Sequence, residues 1–179
     1  MYAFKIRGGK ELSGEVEIKG AKNALLPLMI CTLLTDEPIV LHNASMLADV
    51  KTLMQLLESL GTKITVEGDT ITLQTSKIVS TVASYDFISK MRAGFWVLGP
   101  LLARMGEAKV SLPGGCAIGA RALDIYFSAL TEMGAEIKTE NGYIVPRVRQ
   151  AAIIVLCVPP TVTRQQVISA PCKFPFATI

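Results

Sequence analysis

The sequence is poor in the residues from which metal sites and charge-relay sites are built. It holds one histidine, His42, and four cysteines without metal-type spacing, namely Cys31, Cys116, Cys157 and Cys172. A single histidine next to an asparagine is typical of a loop. Free thiols are the expectation for a chain of the cytoplasm. We therefore expect no metal and no cofactor.

Long hydrophobic runs are also missing, although half of the 179 residues are hydrophobic. The two longest apolar runs, Ala24–Leu34 and Ala93–Ala103, contain Pro27 and Pro100. Both are far short of the roughly 20 residues that cross a bilayer. The start of the chain contains no apolar signal core before charges appear. The sequence therefore predicts a soluble cytoplasmic protein with one core of ordinary domain size and no membrane partner.

Acidic residues and glycines are both absent after Gly142. The part up to Gly142 holds every acidic residue and all but four of the basic ones, so this part is almost neutral. It has no basic stripe with stacking aromatics, which argues against a nucleic-acid partner. The tail is either an irregular extension or the out-of-frame end of a shortened gene, and we favour the second explanation.

Before the tail, strands and helices alternate. Gly14–Lys19 has the period of two of a half-buried strand, and Lys22–Leu34 is apolar on all sides, as a buried helix is. Pro38–Leu41 is predicted as a short strand. A stripe of helical spacing then ends at Gly61, which is placed as a C-terminal cap. Two alternating segments around Glu67-Gly68-Asp69 predict a hairpin.

This pattern occurs twice. Leu57–Ile71 resembles Leu130–Ile144 at a constant offset, and the buried helix Lys22–Leu34 has a counterpart in Lys90–Ala103. The repeated unit comprises a buried helix, a strand, an amphipathic helix and a hairpin. The sequence therefore predicts an α/β (α+β) fold of repeated units that share a core.

Lys22 and Arg92 occupy equivalent places in the two repeats, near the starts of the two buried helices. A cation next to free helical N–H groups forms an anion site that suits phosphate. The alternative is that both side chains extend over a core helix to reach solvent. The repeat by itself leaves both explanations open.

The segment Ser111–Asp124 carries the most chemical information. Cys116 lies among Gly114, Gly115 and Gly119, which allow a backbone to approach a ligand closely. Nearby cations such as Arg121 lower the pKa of a thiol, and such a thiol can act as a general acid. The alternatives are an ordinary loop cysteine beside a structural turn, and an Asp124 that only stabilises a helix start.

Three separate motifs, Lys19–Ala24, Met91–Arg104 and Leu112–Arg121, resemble the bacterial UDP-N-acetylglucosamine 1-carboxyvinyltransferases. The similarity runs in register from about residue 1 to residue 145. It implies an enolpyruvyl-transferase-like fold, an inside-out α/β barrel that is incomplete here. It also implies enolpyruvyl transfer from phosphoenolpyruvate to the 3′-hydroxyl of UDP-N-acetylglucosamine, the first committed step of peptidoglycan synthesis in cell wall biogenesis.

The resemblance also implies roles for individual residues. Cys116 corresponds to the general acid and to the thiol that fosfomycin alkylates. Lys22 and Asn23 correspond to the pair that contacts phosphoenolpyruvate. The residues that correspond to UDP-sugar contacts are Arg92, Arg121, Ala122, Leu123, Asp124 and Ile125. The family usually has proline where this chain has Ala122.

The resemblance divides the chain into three parts. Residues 1–21 are a strand segment that packs with a second domain in the family, residues 22–145 hold two repeats of the first domain, and residues 146–179 are an atypical tail. The second domain, which supplies the catalytic base, is not found in the sequence. Three hypotheses follow: a transferase, an inactive fragment of that enzyme with at most weak UDP-sugar binding, and a structural repeat protein without a small-molecule site.

Overall fold

The computed structural model describes residues 3–9, 11, 13–113 and 123–148. The first repeat contains two α-helices, one 3₁₀ helix and three strands: α1 (Lys22–Ile30), the 3₁₀ helix Cys31–Leu34, β1 (Ile39–Leu41), α2 (Ala48–Leu60), β2 (Lys63–Glu67) and β3 (Thr70–Gln74). The second repeat contains β4 (Val82–Ala83), α3 (Tyr85–Ile88), the 3₁₀ helix Arg92–Val97, α4 (Leu98–Met105), β5 (Lys109–Ser111), α5 (Asp124–Glu132), β6 (Glu136–Glu140) and β7 (Tyr143–Arg147).

The two helices predicted as buried are buried, but neither is a continuous α-helix. In α1 every residue from Ala24 to Ile30 is buried, and the chain then tightens into a 3₁₀ turn. The second buried helix begins as a 3₁₀ helix at Arg92 and becomes α-helical at Leu98. Such 3₁₀ segments are common at helix ends, where the regular bonding pattern runs out.

Helix α2 shows how the sequence sets a boundary. Its apolar stripe is fully buried, and Gly61 follows with a φ of 111°, in the left-handed region. The N–H of Gly61 donates to the carbonyl of Glu58, and the N–H of Thr62 donates to that of Leu57, both at 3.0 Å. These bonds satisfy carbonyls that the helix leaves open, as predicted for a glycine cap.

Each repeat places its hairpin in a sheet. The first sheet has the order β1-β3-β2 and is antiparallel, with Leu41 opposite Ile71. The second has the order β4-β5-β7-β6, with Val110 opposite Ile144. Only the short β4 runs parallel to its neighbour among the described strands. The helices pack with both sheets around one common core of buried apolar residues.

The structure confirms the internal repeat. Gly134 follows α5 as Gly61 follows α2, but one residue further from the helix end, and it has a φ of 93°. Its N–H donates to the carbonyl of Thr131 at 2.9 Å, and the N–H of Ala135 donates to that of Leu130 at 3.0 Å. In the alignment of the two repeats, these residues correspond to the ones that form the cap at Gly61. The two caps and hairpins are therefore the same local structure formed twice.

One side chain joins the two repeats. Arg104, in the last turn of α4, donates from Nη1 to the carbonyl oxygens of Leu33, Thr35 and Thr75, at 3.3, 3.0 and 2.9 Å. Its Nη2 donates to the carbonyl of Ser76 at 3.3 Å. All four carbonyls belong to the first repeat, where they lie beyond the regular hydrogen bonding of the 3₁₀ helix and β3. The arginine thus gives these backbone acceptors of the first repeat a charged donor from the second repeat.

The strand expected at Gly14–Lys19 is not formed. The described residues from 3 to 21 contain neither helix nor strand, and their apolar side chains at Phe4, Ile6, Val16 and Ile18 are almost fully exposed. A strand is held by bonds to a neighbour, and the described part of the chain offers this segment none. The alternation of apolar side chains is present, but the partner they require is not among the described residues.

Neither a membrane span nor a metal cluster is found in the described part of the chain. No helix among these residues is long and apolar enough to cross a membrane. No three histidine, cysteine, aspartate or glutamate side chains in this part lie close enough together to hold a metal ion.

Candidate functional site

Lys22 is the first residue of α1, as the sequence predicted. Its N-cap residue, Ala21, offers no side-chain bond to the helix, and the first turn contains no acidic residue. Asn23 follows in the same turn and is exposed. A lysine and an exposed amide therefore lie at a helix start whose N–H groups carry partial positive charge. This arrangement attracts an anion.

Asp49 contacts Lys22, a pairing that sequence reasoning missed. Nζ of Lys22 lies 2.7 Å from Oδ2 of Asp49, and the two side chains are 42% and 38% exposed. Asp49 belongs to the first turn of α2, where a negative charge is favourable. A pair this exposed contributes about 0–1 kcal/mol to stability. The only signal in the sequence was an acidic residue at a helix start, which is too common to select a partner.

Arg92 begins the second buried helix, so the equivalence with Lys22 is confirmed at the level of helix starts. Its N-cap, Met91, offers no side-chain bond, and the N–H of Gly94 donates to the carbonyl of Met91 at 3.1 Å. Arg92 is half-buried and makes interactions of its own within the protein. Its 3₁₀ helix contacts α1. Two cation-bearing helices of the two repeats therefore pack against each other.

The predicted UDP-sugar contacts fall partly on α5. Leu123 is the N-cap residue and packs against the core, whereas Asp124 and Ile125 are exposed. Ile125 is 78% exposed, an unusual position for a large apolar side chain. An open groove of about 550 Å³ runs along this face of the helix and is lined by Asp124, Ile125, Ser128, Ala129 and Glu132.

Cys116, Arg121 and Ala122 lie outside the described residues, so their positions stay predictions. The ends of their segment are described. At one end the N–H of Leu112 donates to the carbonyl of Gly142 at 3.0 Å, and at the other Leu123 leads into α5. The segment is thus the connection from β5 to α5. In the first repeat, the equivalent connection runs from β1 to α2 and leads to Asp49.

Tyr126 lies beneath this helix start, with its ring edge-on to Phe95 at 5.9 Å between centroids. Burial raises the pKa of Tyr126 from 10.0 to about 12, partly opposed by a hydrogen bond from the Gly99 backbone. Because the unfolded chain releases this proton first, the phenol favours unfolding only at alkaline pH. Below pH 10 the phenol is protonated in both the folded and the unfolded state, so it does not change the free energy of unfolding with pH. Between pH 10 and pH 12 only the unfolded state loses the proton, and the free energy of unfolding therefore falls as the pH rises.

We therefore expect the free energy of unfolding to fall by about 2 kcal/mol between pH 10 and pH 12 because of Tyr126. Urea unfolding at several alkaline pH values measures this dependence, with Tyr126→Phe as the matched control. The variant should show a shallower decline, while every other group is common to both proteins and affects them equally. Identical slopes for the two proteins would contradict the assignment.

A family model described as EPSP synthase (3-phosphoshikimate 1-carboxyvinyltransferase) matches residues 6–164. The chain therefore belongs to this family of enolpyruvyl transferases. The fold agrees. The structure of the enolpyruvyl transferase NikO from Streptomyces tendae matches with a TM-score of 0.68 at 19% identity, over 80% of this chain and 32% of that one. EPSP synthase from Acinetobacter baumannii matches with a TM-score of 0.55 at 15% identity, over 76% and 32%.

Within the family, the similar curated proteins bear the name UDP-N-acetylglucosamine 1-carboxyvinyltransferase. The protein of Chelativorans sp. (strain BNC1) is 48% identical over 86% of this chain and 38% of its own length. That of Xanthobacter autotrophicus is 50% identical over 84% and 37%, and that of Psychrobacter arcticus is 48% identical over 88% and 37%. The chain thus spans less than two fifths of the length of these relatives. The resemblance inferred from the three motifs is confirmed.

The fold class is also confirmed. The described residues form helices and two open sheets without a closed barrel, as expected for an incomplete α/β fold of this family. The boundaries at residues 21 and 145 stay predictions.

Proposed function

We propose that the protein transfers the enolpyruvyl group of phosphoenolpyruvate to the 3′-hydroxyl of UDP-N-acetylglucosamine and releases phosphate. The observation that carries this proposal is the identity of 48–50% to proteins named for that reaction. The reaction would be the first committed step of peptidoglycan synthesis, and its nucleotide-sugar substrate favours a location in the cytoplasm. The glycine-rich segment around Cys116 supports the same branch of the family.

The reaction forms and breaks few bonds. The sugar hydroxyl gives its proton to a base as its oxygen adds to C2 of phosphoenolpyruvate, and C3 receives a proton from a general acid. The tetrahedral intermediate then loses a proton from C3 to a base and expels phosphate from C2, which restores the double bond. The proton donor to C3 is assigned to Cys116 by resemblance. A thiol suits this step when neighbouring cations bring its pKa towards the working pH.

Both substrates carry phosphate, so cations have to converge on them. Lys22 and Asn23, at the open start of α1, are proposed to contact phosphoenolpyruvate, with Arg121 facing its phosphate as well. Arg92 and the segment Arg121–Ile125 are proposed to hold the UDP-sugar. Two observations support this: the partly exposed Lys22 ammonium at a helix start, and the open groove at Asp124 and Ile125. Charge developing on the intermediate requires such fixed donors.

The exposed segment before α1 supports the proposal that a further part of the enzyme completes the active site. The side chains of Phe4, Ile6, Val16 and Ile18 present apolar surface to solvent. We propose that this segment pairs with the part of the enzyme that the relatives have beyond this match, and that the catalytic base lies there. The second candidate function follows: the 179 residues alone are an inactive piece that binds UDP-sugar at most weakly.

Fosfomycin labelling tests the site. The purified chain is incubated with fosfomycin, with and without UDP-N-acetylglucosamine, and the adducts at Cys116 and Cys31 are counted by peptide mass spectrometry. An activated thiol should react at least about tenfold faster than a packed one, so we expect Cys116 to dominate. UDP-sugar should accelerate its labelling. Equal rates at both cysteines, or no effect of UDP-sugar, would overturn the proposed site.

Phosphate release separates the two candidate functions. With both substrates present, we expect the isolated chain to release no more phosphate than its Cys116→Ala variant, because closure of two domains around the substrates is required. Steady release that depends on Cys116 would instead assign the full reaction to this chain alone. A structural repeat protein would show neither selective labelling nor release.

A further inference from the structure

We propose that Asp49 is a positioning residue that holds the Lys22 ammonium in place for the phosphate of phosphoenolpyruvate. The inference rests on the proposed function, because Lys22 has an anion to meet only if that substrate binds. Asp49 itself touches no substrate in this proposal. It acts through Lys22 alone.

The geometry of the pair leaves Lys22 available. Nζ donates to Oδ2 of Asp49 at 2.7 Å across 27 residues of sequence. A lysine ammonium has three donors, so this bond leaves two for an incoming phosphate. Because both side chains are about two fifths exposed, those donors remain accessible from solvent. The carboxylate therefore fixes the direction of the ammonium without covering it.

Asp49 can fix Lys22 because Asp49 is itself well anchored. It lies in the first turn of α2, immediately before Val50, which is completely buried. The loop before α2 is tied to the hairpin by a bond of 2.7 Å from the N–H of Ala44 to the carbonyl of Asp69. A short aspartate side chain on an anchored backbone thus meets the long side chain of a lysine.

A second contact joins the same two helix starts. Oγ of Ser45, in the loop before α2, donates to the carbonyl of Gly20, two residues before Lys22, at 3.5 Å. The start of α1 is therefore held against the start of α2 on both its backbone side and its side-chain side. These two contacts limit how far the Lys22 backbone can move from Asp49.

The physical benefit is preorganisation. A free lysine loses rotamer freedom when it binds phosphate, and this loss weakens binding. If Asp49 has already restricted the side chain, less freedom is lost on binding. The negative charge of Asp49 acts in the opposite direction by competing for the ammonium. Asp49 is partly compensated by the N-terminal end of α2, which weakens that competition.

The experiment measures binding of phosphoenolpyruvate to the 179-residue chain by ³¹P NMR titration in the presence of UDP-N-acetylglucosamine. Asp49→Ala is expected to weaken binding about fivefold, because the lysine becomes disordered in the free protein. Asp49→Glu should recover part of the loss. Glu58→Ala removes the same charge from an exposed position of the same helix and should leave binding unchanged.

A double-mutant cycle with Lys22→Met tests whether Asp49 affects phosphoenolpyruvate binding through Lys22. If Asp49 acts through the lysine, Asp49→Ala has no further effect in the Lys22→Met background. A merely structural role would weaken binding in both backgrounds and would lower the melting temperature well beyond that of Glu58→Ala. Weaker binding in the Lys22→Met background, or such a fall in melting temperature, would overturn the positioning role.

The remaining outcomes are equally decisive. Unchanged or tighter binding by Asp49→Ala, with saturable binding to the unmodified chain, overturns this inference and leaves the proposed function standing. Tighter binding would show that Asp49 withholds the lysine from the phosphate. Failure of the unmodified chain to bind phosphoenolpyruvate overturns the phosphoenolpyruvate site and this inference together.

Discussion

Replacing Arg104 by methionine is expected to lower the free energy of unfolding by about 3 kcal/mol, because backbone acceptors lose a charged donor. The guanidinium donates hydrogen bonds of 2.9–3.3 Å to the carbonyls of Leu33, Thr35, Thr75 and Ser76. Methionine keeps the apolar stem but donates nothing. Free energies of unfolding of whole domains are about 5–15 kcal/mol, so a loss of this size would unfold a measurable fraction of a protein near the lower end of that range.

Urea unfolding followed by circular dichroism measures the loss. Arg104→Lys keeps the charge but cannot reach all four carbonyls, so an intermediate loss is expected. Arg147→Met is the matched control, because Arg147 makes an exposed pair with Glu107 at 3.5 Å. That variant should stay within about 0.5 kcal/mol of the original chain. Equal losses for Arg104→Met and Arg147→Met would show that the link between the repeats carries no stability.

Gly61→Ala is expected to destabilise the chain by about 3 kcal/mol or more, and Gly134→Ala by only about 1–2 kcal/mol. Both glycines adopt the left-handed conformation, with φ values of 111° and 93°. They differ in the space around them. A Cβ at Gly61 would lie 2.5 Å from the carbonyl oxygen of Lys77, whereas a Cβ at Gly134 would meet nothing within 4 Å.

The clash at Gly61 cannot be relieved cheaply. The opposing atom belongs to the backbone, and the N–H of nearby Val79 donates to the carbonyl of Leu60 at 2.9 Å. Moving the Lys77 carbonyl away would strain that bond. The two variants are compared by thermal and urea unfolding. Similar losses in both would mean that conformational strain alone sets the effect and that the close approach at Gly61 is relaxed in solution.

Much of the fold was predictable because it follows from local pattern. The stripe of α2, its cap at Gly61 and the hairpin that follows depend on residues close in sequence, and each was found where predicted. The repeat followed from the same patterns occurring twice. The boundaries between α and 3₁₀ helix within the buried helices were not predictable, because they depend on packing around the whole core.

The candidate site was predictable in part. Lys22 and Arg92 were placed correctly at helix starts by the repeat, and the roles of Cys116 and Arg121 rest on resemblance, outside the described residues. Asp49 was missed, because an ion pair between residues 27 apart leaves no local signal. The prediction of a strand at Gly14–Lys19 was wrong for a related reason. Alternating side chains fit a strand, but a strand forms only where a neighbouring strand accepts and donates its backbone hydrogen bonds.

The sequence by itself determined the family, the repeated unit, the two cationic helix starts and the glycine caps, because short-range periodicity, turn chemistry and motif identity are written along the chain. Only the tertiary structure decided which side chains meet across the repeats. The Lys22–Asp49 pair and the Arg104 link both depend on distances between elements far apart in sequence, and such distances are set by how the shared core packs.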